Sequence, residues 1–320
     1  MSEIIHGLSN DEYHDPNGKW GEYVSSTALK RYLISPRAYK YALTHPEAET
    51  DAMKFGSLFH DLMAYLAESM GDWQRGYAEW LGRLARFDAP INPKTNQPYG
   101  ATTKAYAEAY QQFLADNEGK TVVNALDSDL AADMAYSLLN DCGTTSEQVR
   151  KLLKWTKATE VSYFYEDDNE IKIKIRPDHL TNGYKLVDWK SCSLKSLDED
   201  SIAKQIIQYR YDVSLSQYQY VLNKMEGKWY TPFLVFVSKI PPYESVICDM
   251  SEWCYSYNKE FDIVTPGVGA LEFSRLLQLH TECVKANEWP GIEHTLSESD
   301  NKIMNPAVPY WFGRKYFEEE

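Results

Sequence analysis

Cysteine is scarce and irregularly placed in this chain: five residues, Cys142, Cys192, Cys248, Cys254 and Cys283, with no CxxC pair. An odd, scattered set argues against a disulfide framework, a thiolate zinc site and a cysteine-ligated iron–sulfur cluster. No run of eighteen apolar residues occurs, and the opening MSEIIHGLSNDEYH lacks the charged-then-apolar layout of a secretion signal. The expectation is a cytoplasmic protein with no membrane partner. Internal repeats and low-complexity tracts are missing too. Positive charge is in deficit, with 33 Lys and Arg against 47 Asp and Glu and a net charge of −14. That counts against tight nonspecific DNA binding, although net charge governs long-range steering and not the lining of a local groove. The run Arg150, Lys151, Lys154, Lys157 can line a channel or simply form a solvated helix face.

What is present suffices for a large core: 320 residues, 43% hydrophobic and 25% charged, as one elaborated domain or two. Helices are predicted at 28–34, after the N-cap candidates Ser25, Ser26 and Thr27, and from Ser35-Pro36 onward with Arg37, Tyr39 and Tyr41. A longer helix over 55–67 puts Phe55, Phe59, Leu62 and Leu66 on one stripe, with His60 beside it. Gly56, one turn earlier, would let another element approach. A Pro/Asn-rich loop spans 90–100, and helices follow at 102–116, 127–140 and 146–155. A strand-rich part opens at Thr159. Later come helices at 199–211 and 214–225, strands at 231–238 and 244–249, and an amphipathic helix at 267–287. Strands flanked by helices imply an α/β sandwich around a mixed sheet. The segment from Leu296 on reads as a tail packing through Trp311 and Phe312 or against a neighbouring subunit.

The stretch 171–190, IKIKIRPDHLTNGYKLVDWK, carries the chemistry. Ile171, Ile173 and Ile175 alternate with Lys172, Lys174 and Arg176 at the period of a half-buried strand. Pro177 cannot donate a ladder hydrogen bond and suits a strand end. Asn182-Gly183 signals a type I′ hairpin turn, which would bring Asp178 within about one residue of facing Asp188. Asp188 and Lys190 then share a face, while Val187 and Trp189 point the other way. Read as a solvated hairpin, these charges merely face water. Read as a site, two acids held together repel and favour a divalent cation between them.

In the order of its motifs the chain resembles the PD-(D/E)XK nuclease superfamily, and within it the RecE-type exonucleases (exonuclease VIII). The motifs are the segment LSNDEYH at 8–14, FGSLFH at 55–60, Arg176-Pro177-Asp178, and Val187-Asp188-Trp189-Lys190. Tyr209-Arg210-Tyr211-Asp212 with Tyr218, and Trp289-Pro290-Gly291, complete the set. The resemblance implies a nuclease core, a central mixed β-sheet flanked by helices, within one elaborated domain over 1–320. A mainly helical part at 1–155 would carry His60, a catalytic core would span 156–295, and the tail would be 296–320. It implies Mg²⁺ (Mn²⁺ substituting) held by His60, Asp178, Asp188 and the carbonyl of Trp189, with Lys190 positioning the attacking water. Hard oxygen ligands suit that ion. Glu160 could share the metal face or accept from Lys190. Ser25, Ser26 and Arg37 match a segment near the DNA end in related nucleases; as ordinary caps and a surface arginine they would serve no ligand.

The implied activity is 5′-to-3′ digestion of linear double-stranded DNA, leaving 3′ overhangs for a strand-annealing partner in a phage or prophage recombination system. The implied assembly is a ring-shaped homo-oligomer, trimer or tetramer. Relatives carry Gln-x-x-x-Tyr on the helix after the lysine. Here the tyrosine matches Tyr218, Ser214 stands at the glutamine position, and Gln217 lies nearly one turn out of register. Two other readings remain: a nuclease of the same fold acting on single strands or endonucleolytically, and a non-catalytic DNA-binding or decoy protein.

Overall fold

The computed structural model describes residues 2–167 and 170–292; the 296–320 tail with Trp311 and Phe312 lies outside them. The chain divides into two compact units, Met1–Ser26 with Glu47–Ser274, and Thr27–Pro46 with Arg275–Glu320. The fold is mixed α/β, as expected. Its main sheet runs Ser245–Asp249, Thr231–Ser238, Lys185–Cys192, His179–Thr181, Thr156–Thr159 across five strands. Within this sheet, among the described residues, only Lys185–Cys192 and Thr231–Ser238 are parallel. A parallel pair needs a crossover long enough to return the chain to the starting end. Helices Glu199–Tyr209 and Tyr211–Glu226 supply it.

The alternating stretch beginning at Ile171 is not one arm of a continuous hairpin. It breaks at Pro177 into two strands belonging to different sheets. Lys172–Ile175 joins a three-stranded antiparallel sheet with Ser162–Glu166 and Glu3–Ile5. His179–Thr181 pairs with Lys185–Cys192. The segment opening at Thr159 splits likewise, into Thr156–Thr159 and Ser162–Glu166, at Glu160, whose φ of +50° is left-handed. The hairpin turn also differs from expectation. The left-handed residue is Tyr184 (φ +56°), and neither Asn182 nor Gly183 has positive φ. Tyr184 N–H donates to the Thr181 carbonyl at 3.1 Å, a three-residue loop in place of a two-residue one.

The polar face of Lys172–Ile175 meets water only at Lys172, whose side chain is 32% exposed and paired with Glu22. Lys174 is 6% exposed, its ammonium donating to the carbonyls of Tyr13 (2.6 Å) and Trp20 (3.1 Å). An unpaired buried ammonium would be expensive, so these two acceptors make the position tenable.

Helix Asp51–Glu68 starts where Thr50 accepts from the Met53 N–H. Its stripe of Phe55, Phe59, Leu62 and Leu66 packs with Val187, Trp189, Val235 and Val237 of the two central strands. Each such side chain contributes about 1.5–3 kcal/mol on burial, so this contact fixes where the helix lies on the sheet. Gly56 serves no close approach: no described atom lies within 4 Å of where its Cβ would stand. The 90–100 loop contains a small antiparallel pair, Ile91–Asn92 with Gln97–Pro98.

In the second unit, Tyr32, Tyr39, His280 and Trp289 form an aromatic core, with Tyr39 stacked on Trp289 at 5.4 Å. His280 Nδ1 and the Tyr32 hydroxyl lie 2.9 Å apart. The Arg37 N–H donates to the Pro290 carbonyl at 3.0 Å. Among the described residues, no helix is long and apolar enough to cross a membrane.

Candidate metal centre

Three adjacent strands each bring one acid to the same end of the main sheet. Leu186 faces Leu180 and Val187 faces His179, so one further step sets Asp188 opposite Asp178. On the other side Thr159 faces His179, and one step beyond it the Glu160 N–H donates to the Asp178 carbonyl at 3.3 Å. Glu160, Asp178 and Asp188 therefore occupy one row across the sheet. Pro177 ends the ladder just before Asp178, and the left-handed turn at Glu160 ends it on the neighbouring strand.

His60 comes from helix Asp51–Glu68, and its Nδ1 lies 3.3 Å from Asp178 Oδ2. One ligand atom each from His60, Glu160 and Asp178 fall within 4.8 Å of one another, a spacing that fits a shared cation. Asp188 stands outside that group of three, engaged by Lys190 with Nζ 2.6 Å from Oδ2. Glu160, expected as a possible sharer of the metal face, thus falls in with His60 and Asp178, and Asp188 adjoins them beside Lys190. The same Asp178 Oδ2 accepts from the Trp189 N–H at 2.9 Å, so the carboxylate is oriented by the strand that carries Asp188 and Lys190.

Burial dominates the electrostatics, and the charges within the site decide how each group responds. Burial pushes Glu160 up, with the Asp178 charge adding to it, to about 8. Burial also raises Asp188, and Asp178 adds to this, so that even the Lys190 ammonium leaves the carboxyl above its usual range. For Asp178, burial is overcome by His60, Lys190 and the Trp189 N–H, which hold it well below the usual range. His60 is raised: burial opposes its charge, but the Asp178 carboxylate outweighs burial. Lys190 is raised above an ordinary lysine because Asp188 and Asp178 outweigh its burial. A cluster with more carboxylates than cations is the arrangement a divalent ion relieves.

Around this centre, helix Tyr211–Glu226 presents Tyr211, Ser214 and Tyr218 at helical spacing along one side. The Tyr211 ring centroid is 5.1 Å from Lys190 Nζ. Tyr218 is raised far above an ordinary phenol, first by burial and then by Asp188, and hydrogen-bonds with Ser26. Gln217 does not take the place of the missing glutamine. It is fully buried on another side of the helix, and its Nε2 donates to the carbonyls of Val24 (3.1 Å) and Lys174 (3.2 Å). That amide joins the N-terminal segment to strand Lys172–Ile175 and is not available to DNA. Ser214 remains half-buried on the Tyr218 side.

The proposed end-binding residues do not all form an open surface. Ser26 is 6% exposed and occupied by Tyr218; Ser25 is half-buried; Arg37 belongs to the second unit. Of the basic run, Lys157 is engaged by Glu226 at 2.7 Å and Arg150 donates to the Leu139 carbonyl. Arg176, missed as anything but a motif residue, is a structural clamp. It donates to Ser162 Oγ (2.9 Å), Asn10 Oδ1 (2.6 Å) and the Leu8 carbonyl (3.0 Å), and lies over the Tyr13 ring at 4.1 Å. The LSNDEYH segment is thereby fastened beside the Pro177 break. The signal for this was the arginine ending the alternation, a polar residue where a strand changes sheets.

A family model described as a PDDEXK-like domain of unknown function (DUF3799) matches residues 25–292. Among solved structures, the chain is similar to one named a "putative exonuclease" from Eubacterium rectale. It is 13% identical over 95% of this chain and 97% of that one, with a TM-score of 0.49. No curated protein matches.

Proposed function

We propose, on the premise that the chain belongs to the PDDEXK-like family of unknown function (DUF3799), that it is a metal-dependent nuclease. In this reading it is a Mg²⁺-dependent exonuclease that digests linear double-stranded DNA from 5′ ends. The observation that carries the nuclease reading is the convergence of His60, Glu160 and Asp178 within 4.8 Å beside the Asp188–Lys190 pair. Two carboxylates suit Mg²⁺ or Mn²⁺ by hardness, the imidazole is better tolerated by Mn²⁺, and Asp178 is held ionised, as a ligand must be. His60, Glu160 and Asp178 would hold the ion, with Asp188 alongside. When bound, such an ion supplies Lewis acidity toward a phosphodiester and its attacking water.

The protein's own residues do the rest. Asp178 is oriented by the Trp189 N–H and by His60, so its position is set before any ligand arrives. Asp188 holds the Lys190 ammonium at 2.6 Å, and the Tyr211 ring supports it from the side. A charged donor fixed there can stabilise the extra negative charge on phosphate oxygens as the water adds, without reorganising during the reaction. The Tyr218 phenol lies close enough for the Asp188 and Asp178 charges to act on it, and both carboxylates are buried, which strengthens each of these interactions.

A ring-shaped homo-oligomer, an annealing protein and a phage setting accompany the exonuclease reading as proposals. Digestion of end-labelled linear and circular duplex, with Mg²⁺ or with chelator, tests it. We expect mononucleotides from linear DNA only, 3′ overhangs, and no release by Asp178→Asn. Cleavage of circular DNA would make it an endonuclease of the same fold, and no digestion of any DNA with Mg²⁺ or Mn²⁺ would overturn the nuclease reading.

A further inference from the structure

Beside the metal centre, the crossover turns a corner that is unusually firmly built. Helix Glu199–Tyr209 ends and helix Tyr211–Glu226 begins at a single residue, Arg210, in left-handed conformation (φ +50°). A non-glycine residue there is strained and persists only where surrounding contacts over-determine it. They do so here. Arg210 Nε and Nη2 bind Asp212 Oδ1 and Oδ2, both at 3.0 Å, and Asp212 is 2% exposed. The Asp212 carbonyl accepts from Ser216 Oγ (2.7 Å) and Cys254 Sγ (3.5 Å), and Gly269 packs against it from behind.

The corner sets two rings side by side. Tyr209 and Tyr211 flank Arg210 and stack at 5.5 Å with planes 19° apart. Two residues apart on one continuous helix they would point to different sides and could not stack; the left-handed break makes it possible. Tyr211 rests against Phe236, the residue paired with Lys190 across the sheet, at 6.1 Å, and its own ring is 5.1 Å from Lys190 Nζ. Tyr209 continues the stack outward and is 48% exposed. The result is an aromatic step leading from solvent to the lysine, held by a strained, fully braced turn.

We infer that Tyr209 and Tyr211 form a stacking shelf for an unpaired base at the end of a DNA strand, delivering its phosphodiester to Lys190 and the acidic row. This rests on the nuclease reading for what lies beyond the shelf. Every base has a π-face, so such a platform gives affinity without sequence preference. It also suits an acidic chain, because stacking needs no basic groove. The base must be unstacked from its duplex to enter, so the shelf favours frayed ends over blunt, G·C-closed ones.

The test uses Asp178→Asn protein with Mg²⁺ and linear duplex carrying 2-aminopurine at a frayed end, whose fluorescence falls on stacking. We expect quenching on binding, its loss in Tyr209→Ala, and affinity weaker by about 5- to 100-fold, the range of one base–aromatic stack. Tyr209→Trp should retain both, and unfolding temperature should follow the parent in either variant because Tyr209 is half exposed. Equal affinity and equal quenching in Tyr209→Ala and its parent would overturn the shelf. The nuclease reading is scored separately, on unsubstituted protein. Binding and quenching without cutting would overturn the nuclease and keep the shelf; cutting with no effect of Tyr209→Ala on KM or quenching would do the reverse.

Discussion

Gly269→Ala is a sharp test of how the corner at Arg210 is held. A methyl group there would stand 2.6 Å from Asp212 Cβ, 2.7 Å from its carbonyl carbon and 2.8 Å from its oxygen. Carbon atoms rest at about 3.5–4.0 Å, so one element must retreat by roughly 1 Å. The start of helix Val268–Ala286 cannot do so freely, because Gly267 N–H donates to Cys254 O (2.6 Å) and Gly269 N–H to Trp253 O (2.7 Å). Asp212 cannot either, being clasped by Arg210 and Ser216. Overpacking of this kind costs about 1–3 kcal/mol, and a weakened hydrogen bond adds about 1. The expected loss is therefore about 2–4 kcal/mol, a fall in Tm of roughly 3–6 °C for a chain of this length. If Asp212 gives way, Tyr211 moves with it, and a displacement of about 1 Å near Lys190 can cost about 100-fold in rate. Thermal unfolding by circular dichroism, with digestion rates measured well below the variant's Tm, reads both effects. Gly82→Ala is the control: no described atom lies within 4 Å of that site, so alanine should gain up to about 1 kcal/mol of helix propensity. Parent-like Tm and rate in Gly269→Ala would refute the claim that this contact braces the corner.

Other outcomes follow from the same geometry. Lys190→Met should lower kcat by about 10²–10³-fold with KM little changed, as loss of a preorganised charge donor does in single-turnover digestion. Gln217→Leu should destabilise by about 2–4 kcal/mol in urea titration, since it strips a donor from two buried carbonyls, whereas Ser214→Ala should leave stability unchanged. His280 is buried and its pKa is depressed to about 4, so the unfolded chain binds its proton first on acidification. Its contribution is fully present above about pH 6.5 and is lost as pH falls toward 4, at up to about 1.4 kcal/mol per pH unit. The difference in stability between parent and His280→Gln should accordingly narrow across that window, and parallel profiles would refute it.

Much of the candidate site's geometry was readable in the chain because it rests on local rules. Asp178 and Asp188 face each other since a short hairpin fixes register, and Pro177 had to end a ladder. Strand Thr231–Ser238 was legible as an apolar run and the helix after Ser35 through its cap, whereas the helix read from Phe55 begins a turn earlier, at Asp51, where Thr50 caps it. What escaped depends on distant partners. Nothing near Glu160 announces a left-handed residue, so its strand looked continuous and its place in the row stayed undecided. Lys174 looked solvated because the carbonyls that bury it belong to Tyr13 and Trp20, some 160 residues earlier. Gln217 and Ser214 could not be told apart until Val24 was seen to occupy the glutamine.

The row of Glu160, Asp178 and Asp188 has a consequence for how this protein comes into being. Its acids come from three different strands, and His60 comes from a helix a hundred residues upstream of Glu160. No short segment of a nascent chain can offer a cation more than one or two of these ligands. In the proposed reading, metal affinity therefore arises only once the sheet is assembled, and a cation that binds the finished site and not the disordered chain draws the folding equilibrium toward it. Until then the clustered negative charge resists closure. On the proposed metal-dependent reading, divalent-ion supply thus becomes a determinant of how much folded protein accumulates, separately from any chemistry at the site.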